Sequence, residues 1–151
     1  MITIKKISKS EIPKLVAIAY EGDQELFDKY HSGNLFDDFN RDFPSAVLTT
    51  LDIIDEATDH VELSYYKVIY QKKPIGYFIT FGNFLYSFAI AKSYRKRDVL
   101  IGWFESVKKV LGKNFFAILY DINTRAIAHL EKQGMQIIDH NQETRFVTLQ
   151  N

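Results

Sequence analysis

Between Lys73 and Lys92 the chain carries no charged residue, and this stretch constrains the fold more than any other. It approaches the ~20 mainly apolar residues that a membrane helix needs. Its composition argues against that use. Gly76, Gly82 and Asn83 interrupt it, and most of the rest is Tyr, Phe, Ile and Thr, whose branched or aromatic side chains suit a pleated strand. The Gly82-Asn83 pair between Phe81 and Phe84 reads as a two-residue hairpin turn, where positive φ is required. Two adjacent, well-buried strands at 75–81 and 84–91 are therefore expected, and no membrane partner.

A strand over 61–70, followed by a turn at Lys72-Lys73-Pro74, completes an antiparallel meander. The alternating start of the chain predicts a half-buried strand and not a secretory segment. Ser10 is placed to cap a first helix with Glu11 and Pro13 in its opening turn and Leu15, Ile18 and Ala19 as its stripe. Residues 21–43 are acidic and aromatic, suiting short helices or an ordered loop, and Pro44-Ser45 opens a second helix bearing Val47, Leu48, Leu51 and Ile54. A helix starting near Asp98 carries Val99, Trp103, Phe104 and Val107 and stops at Gly112. A strand over 114–120, a helix capped by Asp121 or Asn123 and closed by Gly134, and strands at 136–138 and 145–149 follow. Strands interleaved with helices predict an α/β (α+β) single domain with a mixed central sheet of six to seven strands flanked by helices. The strand–helix–strand run over 85–120 predicts a parallel pair. Ligands in such sheets sit at strand carboxyl ends beside helix N-termini, which here means residues 89–98.

Composition narrows the chemistry. There is no cysteine, so disulfides, thiolate metal sites and a cysteine nucleophile are excluded, and a cytoplasmic location is expected. The four histidines lack metal-ligand spacing, and no Walker, Rossmann or nucleophile-elbow pattern occurs, so no metal is expected. Formal charge is zero, with 19 basic and 19 acidic residues. The balance is nevertheless local: residues 1–64 hold 13 acids and 6 bases, and residues 65–151 hold 6 acids and 13 bases. One half suits cations and the other anions. Tyr94-Arg95-Lys96-Arg97 is too short a basic stretch, in a neutral chain, to predict nucleic-acid binding.

Two segments carry a family resemblance. The run 84–104, Phe-Leu-Tyr-Ser-Phe-Ala-Ile-Ala-Lys-Ser-Tyr-Arg-Lys-Arg-Asp-Val-Leu-Ile-Gly-Trp-Phe, and the run 116–135, with its Asn123, Ala126-Ile127 and Glu131-Lys132-Gln133-Gly134 landmarks, resemble the GNAT superfamily of N-acetyltransferases. Element order extends the likeness over nearly the whole chain. The resemblance implies an acyl-coenzyme A co-substrate, acetyl-CoA above all. Its pantetheine arm would pair with the backbone of Phe88, Ala89, Ile90 and Ala91. Its diphosphate would lie on the loop of Arg95, Lys96, Arg97 and Asp98, because helix-opening amides attract anions. Asp98 and Leu100 stand where the family's R/Q-x-x-G-x-G/A pattern has glycines. Lys92, Arg95, Lys96 and Arg97 offer side-chain pairing in compensation, while Asp98 equally suits a helix cap.

Asn123 matches the family's helix-opening asparagine and is expected both to cap and to touch the cofactor. Leu130 occupies the position of the family's usual tyrosine acid and cannot donate a proton. Tyr86 is then the candidate catalytic residue, by proton transfer or substrate contact, although packing alone explains an aromatic there. The acidic segment, Asp37 and Asp38 in particular, is expected to form either a wall for a cationic acceptor or a solvated face. The resemblance thus implies acyl transfer, acetyl first, to a primary amine of a small molecule or protein by direct attack. The alternative is a catalytically degenerate GNAT-like domain that binds a ligand or a protein. The aromatic content permits a homodimer surface without requiring one.

Overall fold

A computed structural model describes residues 1–33, 35, 42–57 and 62–151. Among the described residues seven strands form one sheet: β1 (Ile2–Ile7), β2 (Ser64–Tyr70), β3 (Lys73–Phe81), β4 (Phe84–Ile90), β5 (Phe116–Tyr120), β6 (Gln136–Asn141) and β7 (Phe146–Gln150). Their spatial order is β1-β2-β3-β4-β5-β7-β6, and β4 and β5 are parallel while the other neighbours are antiparallel. The α-helices are α1 (Ile12–Ala19), α2 (Gln24–Ser32), α3 (Phe43–Ala57), α4 (Arg97–Leu111) and α5 (Thr124–Lys132). None of the described helices is long and apolar enough to cross a membrane.

The uncharged stretch becomes β3 and β4, and both faces of this hairpin are covered. Tyr77, Ile79 and Ala89 pack with Ile12, Leu15, Val16 and Ala19 of α1 and Leu51 of α3. On the other face Phe78, Leu85 and Ile90 meet Val99, Trp103, Phe104 and Val107 of α4 and Ile127 and Leu130 of α5. Burial on two sides explains why the sequence there is nearly continuous in apolar residues and not simply alternating. Each fully buried large side chain contributes about 1.5–3 kcal/mol before entropy is counted.

Gly82 turns the hairpin with φ of 57°. Gly76 serves a different need: a Cβ there would lie 2.2 Å from the Ala89 carbonyl oxygen. The β3–β4 ladder can close at its far end only over a residue without a side chain.

Three local expectations are corrected. The β2–β3 turn is Gln71-Lys72, with Tyr70 paired to Lys73, so Lys73 and Pro74 already belong to β3. Ser10 does not cap α1, because residues Lys9–Glu11 form a 3₁₀ turn in which the Ser10 hydroxyl pairs with that of Ser8 at 2.8 Å. The last two strands begin at Gln136 and Phe146, and β6 runs on to Asn141.

Two substitutions test this account in urea denaturation. Gly76→Ala is expected to cost about 3 kcal/mol, since the clash is with backbone. Gln71 and Lys72 have φ of 50° and 65°, a region unfavourable by about 1 kcal/mol or more for residues with a Cβ, so Lys72→Gly is expected to stabilise by about that amount.

Candidate functional site

The parallel ladder between β4 and β5 stops almost as soon as it starts. Phe84 pairs with Phe116 and Leu85 with Ala117, yet β4 continues to Ile90 and β5 to Tyr120. An irregularity on the other side of β4 falls at the same place. There Thr80 faces Leu85 while Ile79 faces Ser87, so Tyr86 is an extra residue bulged out of the antiparallel ladder. A bulge bends its strand and adds local twist, and here it coincides with the point where β4 leaves β5. The result is a cleft bounded by two strand edges.

Peptide geometry fixes what β4 offers to that cleft. Ala91 N–H donates to the Ile75 carbonyl of β3 at 2.7 Å. The Ile90 carbonyl belongs to the same trans peptide and so points the opposite way, into the opening. The Ala89 carbonyl lies against Gly76 on the β3 side, which turns Ile90 N–H to the opening as well. Ile90 therefore presents both a donor and an acceptor along the cleft.

Beyond Ile90 a short 3₁₀ turn (Lys92–Tyr94) leads into α4, with Lys96 as its N-cap residue in extended conformation. The N–H groups of the first turn of a helix have no intrahelical partner, and they carry the positive end of the helix dipole. Lys92, Lys96 and Arg97 are exposed around this end, and so is Asp98 in the first turn. The four loop residues Arg95, Lys96, Arg97 and Asp98 are thus together at the cleft mouth, but Arg95 is oriented differently from its neighbours.

Arg95 turns inward. Its Nε donates to the Ile90 carbonyl at 2.7 Å, Nη1 to Asp23 Oδ1 at 3.1 Å, and Nη2 to Asp23 Oδ2 at 2.5 Å and to the Ala19 carbonyl at 3.4 Å. Asp23 is 6% exposed and the Arg95 side chain 34%. Asp23 stands at the N-cap position of α2 but makes no capping bond; its carboxylate is given to Arg95 instead. In the sequence Asp23 is one acid among many, and nothing local marks it as the buried one.

Tyrosines of β3, β4 and β5 pack among other aromatic side chains beside this part of the sheet. Tyr86 is half-buried with its ring edge-on to Phe84 at 5.7 Å, and burial pushes its hydroxyl up to about 12, with Tyr120 adding to the effect. Tyr120 stacks on Phe146 at 4.7 Å and meets Tyr30 edge-on at 5.5 Å. The Tyr77 hydroxyl pairs with Ser87 Oγ at 2.9 Å, and Tyr20 stacks on Phe43 at 4.2 Å. Asn123 is the N-cap residue of α5 by position, but its side chain makes no capping bond; it pairs with the Tyr30 hydroxyl. The expected capping role is therefore corrected: the amide is spent on the aromatic wall. Leu130 is fully buried, and His129 lies beside Leu100 of α4, its imidazole kept toward the neutral form by burial. Asp37 and Asp38 lie outside the described residues.

Burial raises the ionisation of Tyr20, Tyr30, Tyr77, Tyr86 and Tyr120 above the ordinary value near 10. The folded chain therefore holds phenolic protons that the unfolded chain releases. This contribution is complete below pH 10 and is lost as pH rises toward 12 and beyond. Denaturant midpoints measured from pH 9 to 12 are expected to fall, and Tyr86→Phe to make the fall shallower. Asp23→Ala is expected to cost about 3 kcal/mol, the low end for breaking a buried pair because Arg95 is partly exposed; urea denaturation at pH 7 measures it.

No protein-family model matches the chain, and no curated protein matches it by sequence. Solved structures match along its whole length. Apo-form YjaB from Escherichia coli is 16% identical, covering 99% of this chain and 97% of its own, with a TM-score of 0.63. An acetyltransferase from Thermus thermophilus is 11% identical, covering 100% and 96%, with a TM-score of 0.66. The Campylobacter jejuni N-acetyltransferase PseH, in complex with acetyl coenzyme A, is 12% identical, covering 100% and 98%, with a TM-score of 0.57. At such identities the likeness speaks for architecture: the fold of this chain is the GNAT acetyltransferase fold.

Proposed function

We propose that the chain is an acyl-coenzyme A dependent N-acyltransferase, with acetyl as the acyl group and a primary amine as acceptor. The observation that carries this reading is the cleft between β4 and β5, with Ile90 N–H and C=O turned into it and the first turn of α4 at its mouth. The donor and acceptor of Ile90 fit an amide-bearing arm such as pantetheine. Lys96 and Arg97, with the α4 amides, fit a diphosphate through charged side chains where the pattern of the family the sequence resembles has glycines. Phe88, Ala89 and Ala91 supply the remaining backbone, and Asn123 stands at the opposite wall.

When bound, the acyl-coenzyme A supplies a thioester carbonyl. The chain's own contribution is chiefly placement. Ile90 N–H orients and polarises a carbonyl lying in the cleft, and the walls bring the amine to it, a use of binding that lowers a bimolecular barrier without a dedicated nucleophile. Tyr86 keeps its phenolic proton throughout the physiological range; the proton that the departing thiolate takes up is the one the attacking amine loses, relayed through the Tyr86 hydroxyl, so that the phenol ends as it began. The acidic segment with Asp37 and Asp38, outside the described residues, gives this part of the chain a negative charge that suits a cationic acceptor.

Isothermal titration with acetyl-CoA is expected to give one site per chain, and no heat at about 1 mM cofactor overturns the reading. Lys96→Ala with Arg97→Ala should weaken binding by about tenfold and flatten its dependence on salt. Thiol release against a panel of primary amines is expected to fall by about 10²-fold in Tyr86→Phe with coenzyme affinity unchanged; unaltered turnover removes Tyr86 from the chemistry. A second reading, a non-catalytic binding module, is favoured by the fully buried Leu130 and by Asp98 and Leu100 in place of glycines. It predicts coenzyme or protein binding without thiol release for any amine.

A further inference from the structure

The loop arginine is spoken for. All three guanidinium nitrogens of Arg95 have partners, namely a carboxylate held bidentately and two backbone carbonyls. The carboxylate belongs to Asp23, which is 6% exposed and has Arg95 as its ion-pair partner. Moving the guanidinium to an external anion leaves that buried charge uncompensated, one of the costlier events in a folded chain. One of the two carbonyls is Ile90's, the same one that the trans peptide aims into the cleft. A carbonyl oxygen has two lone pairs, so the bond from Nε fixes its direction and leaves one pair for a ligand.

We propose that Asp23, acting through Arg95, is a positioning residue that fixes the cleft-facing carbonyl of Ile90, so that Arg95 braces the cofactor loop and leaves the diphosphate to Lys96 and Arg97. The inference rests on the acyl-coenzyme A reading for its purpose, but not for its geometry. It joins the two charge regions of the chain at one point, since Asp23 comes from the acidic part and Arg95 from the basic part. It also gives the arginine a use that does not need glycines beside it, at a loop where both glycines are replaced.

The test uses the full chain, isotopically labelled, without and with coenzyme A. Asp23→Asn keeps the size of the side chain and removes its charge. It is expected to move the carbonyl-carbon resonance of Ile90 and to speed exchange of the Arg95 Nε–H; resonances that ignore the substitution overturn the brace, whether or not coenzyme A binds. On titration with coenzyme A, Asp23→Asn and Arg95→Lys are each expected to weaken binding about five- to tenfold, as for one misdirected hydrogen bond, and the double variant no further. The salt dependence of binding should stay at the wild-type slope in Asp23→Asn and fall only in Lys96→Ala or Arg97→Ala. Tighter binding in Asp23→Asn, as for an arginine freed to grip phosphate, overturns the proposal. A wild-type chain that takes up no coenzyme A overturns the transferase reading instead, and the Ile90 resonance then decides the brace by itself.

Discussion

One strand, β4, is held by a ladder on one edge and released on the other, and the rest of the site depends on that asymmetry. The antiparallel pairing with β3 runs from Phe84 to Ile90 with a single interruption at Tyr86. The parallel pairing with β5 ends at Leu85. Unpaired backbone edges inside a sheet are costly to leave without partners. Here both faces of the strand are packed, against α1 and α3 on one side and α4 and α5 on the other.

The charge separation follows the same geometry. The basic half begins at β2 and contains the loop that crosses from β4 to α4, while the acidic half contains α1, α2 and α3. They meet where Arg95 pairs with Asp23, and again where Lys67 of β2 faces Glu11 at 3.4 Å. The first contact is buried on its acidic side and bidentate. The second is a single contact to a half-exposed carboxylate and contributes little. Net neutrality is thus the sum of two fields that, among the described residues, join at the buried carboxylate of Asp23.

Much of this was legible in the residues. The uncharged run, its Gly82-Asn83 turn and the amphipathic stripe of α4 each follow from side-chain chemistry acting over short range, and the structure keeps them nearly where the pattern puts them. The departures are of another kind. Tyr86 bulges without a glycine to announce it, because the interruption answers to packing on both sides of β4. Gln71-Lys72 takes a left-handed turn with residues that do not favour one, since the β2–β3 register leaves no other length. Asn123 reads as a helix cap and Asp23 stands at a cap position unannounced, yet each side chain is drawn away by a partner distant in sequence, Tyr30 and Arg95 respectively. Tertiary contacts outcompete local hydrogen bonds at these positions, and no window of sequence contains both partners.

The peptide joining Ile90 to Ala91 behaves as a gear. Its six atoms are one rigid plane, with the oxygen engaged by Arg95 in the cleft and the nitrogen engaged by Ile75 in the sheet. Tilting the oxygen toward or away from a ligand must tilt the nitrogen off its 2.7 Å bond to Ile75. The acceptor in the cleft accordingly has the stiffness of the β-sheet behind it, which a loop carbonyl would lack, and it can be set in direction before any ligand arrives.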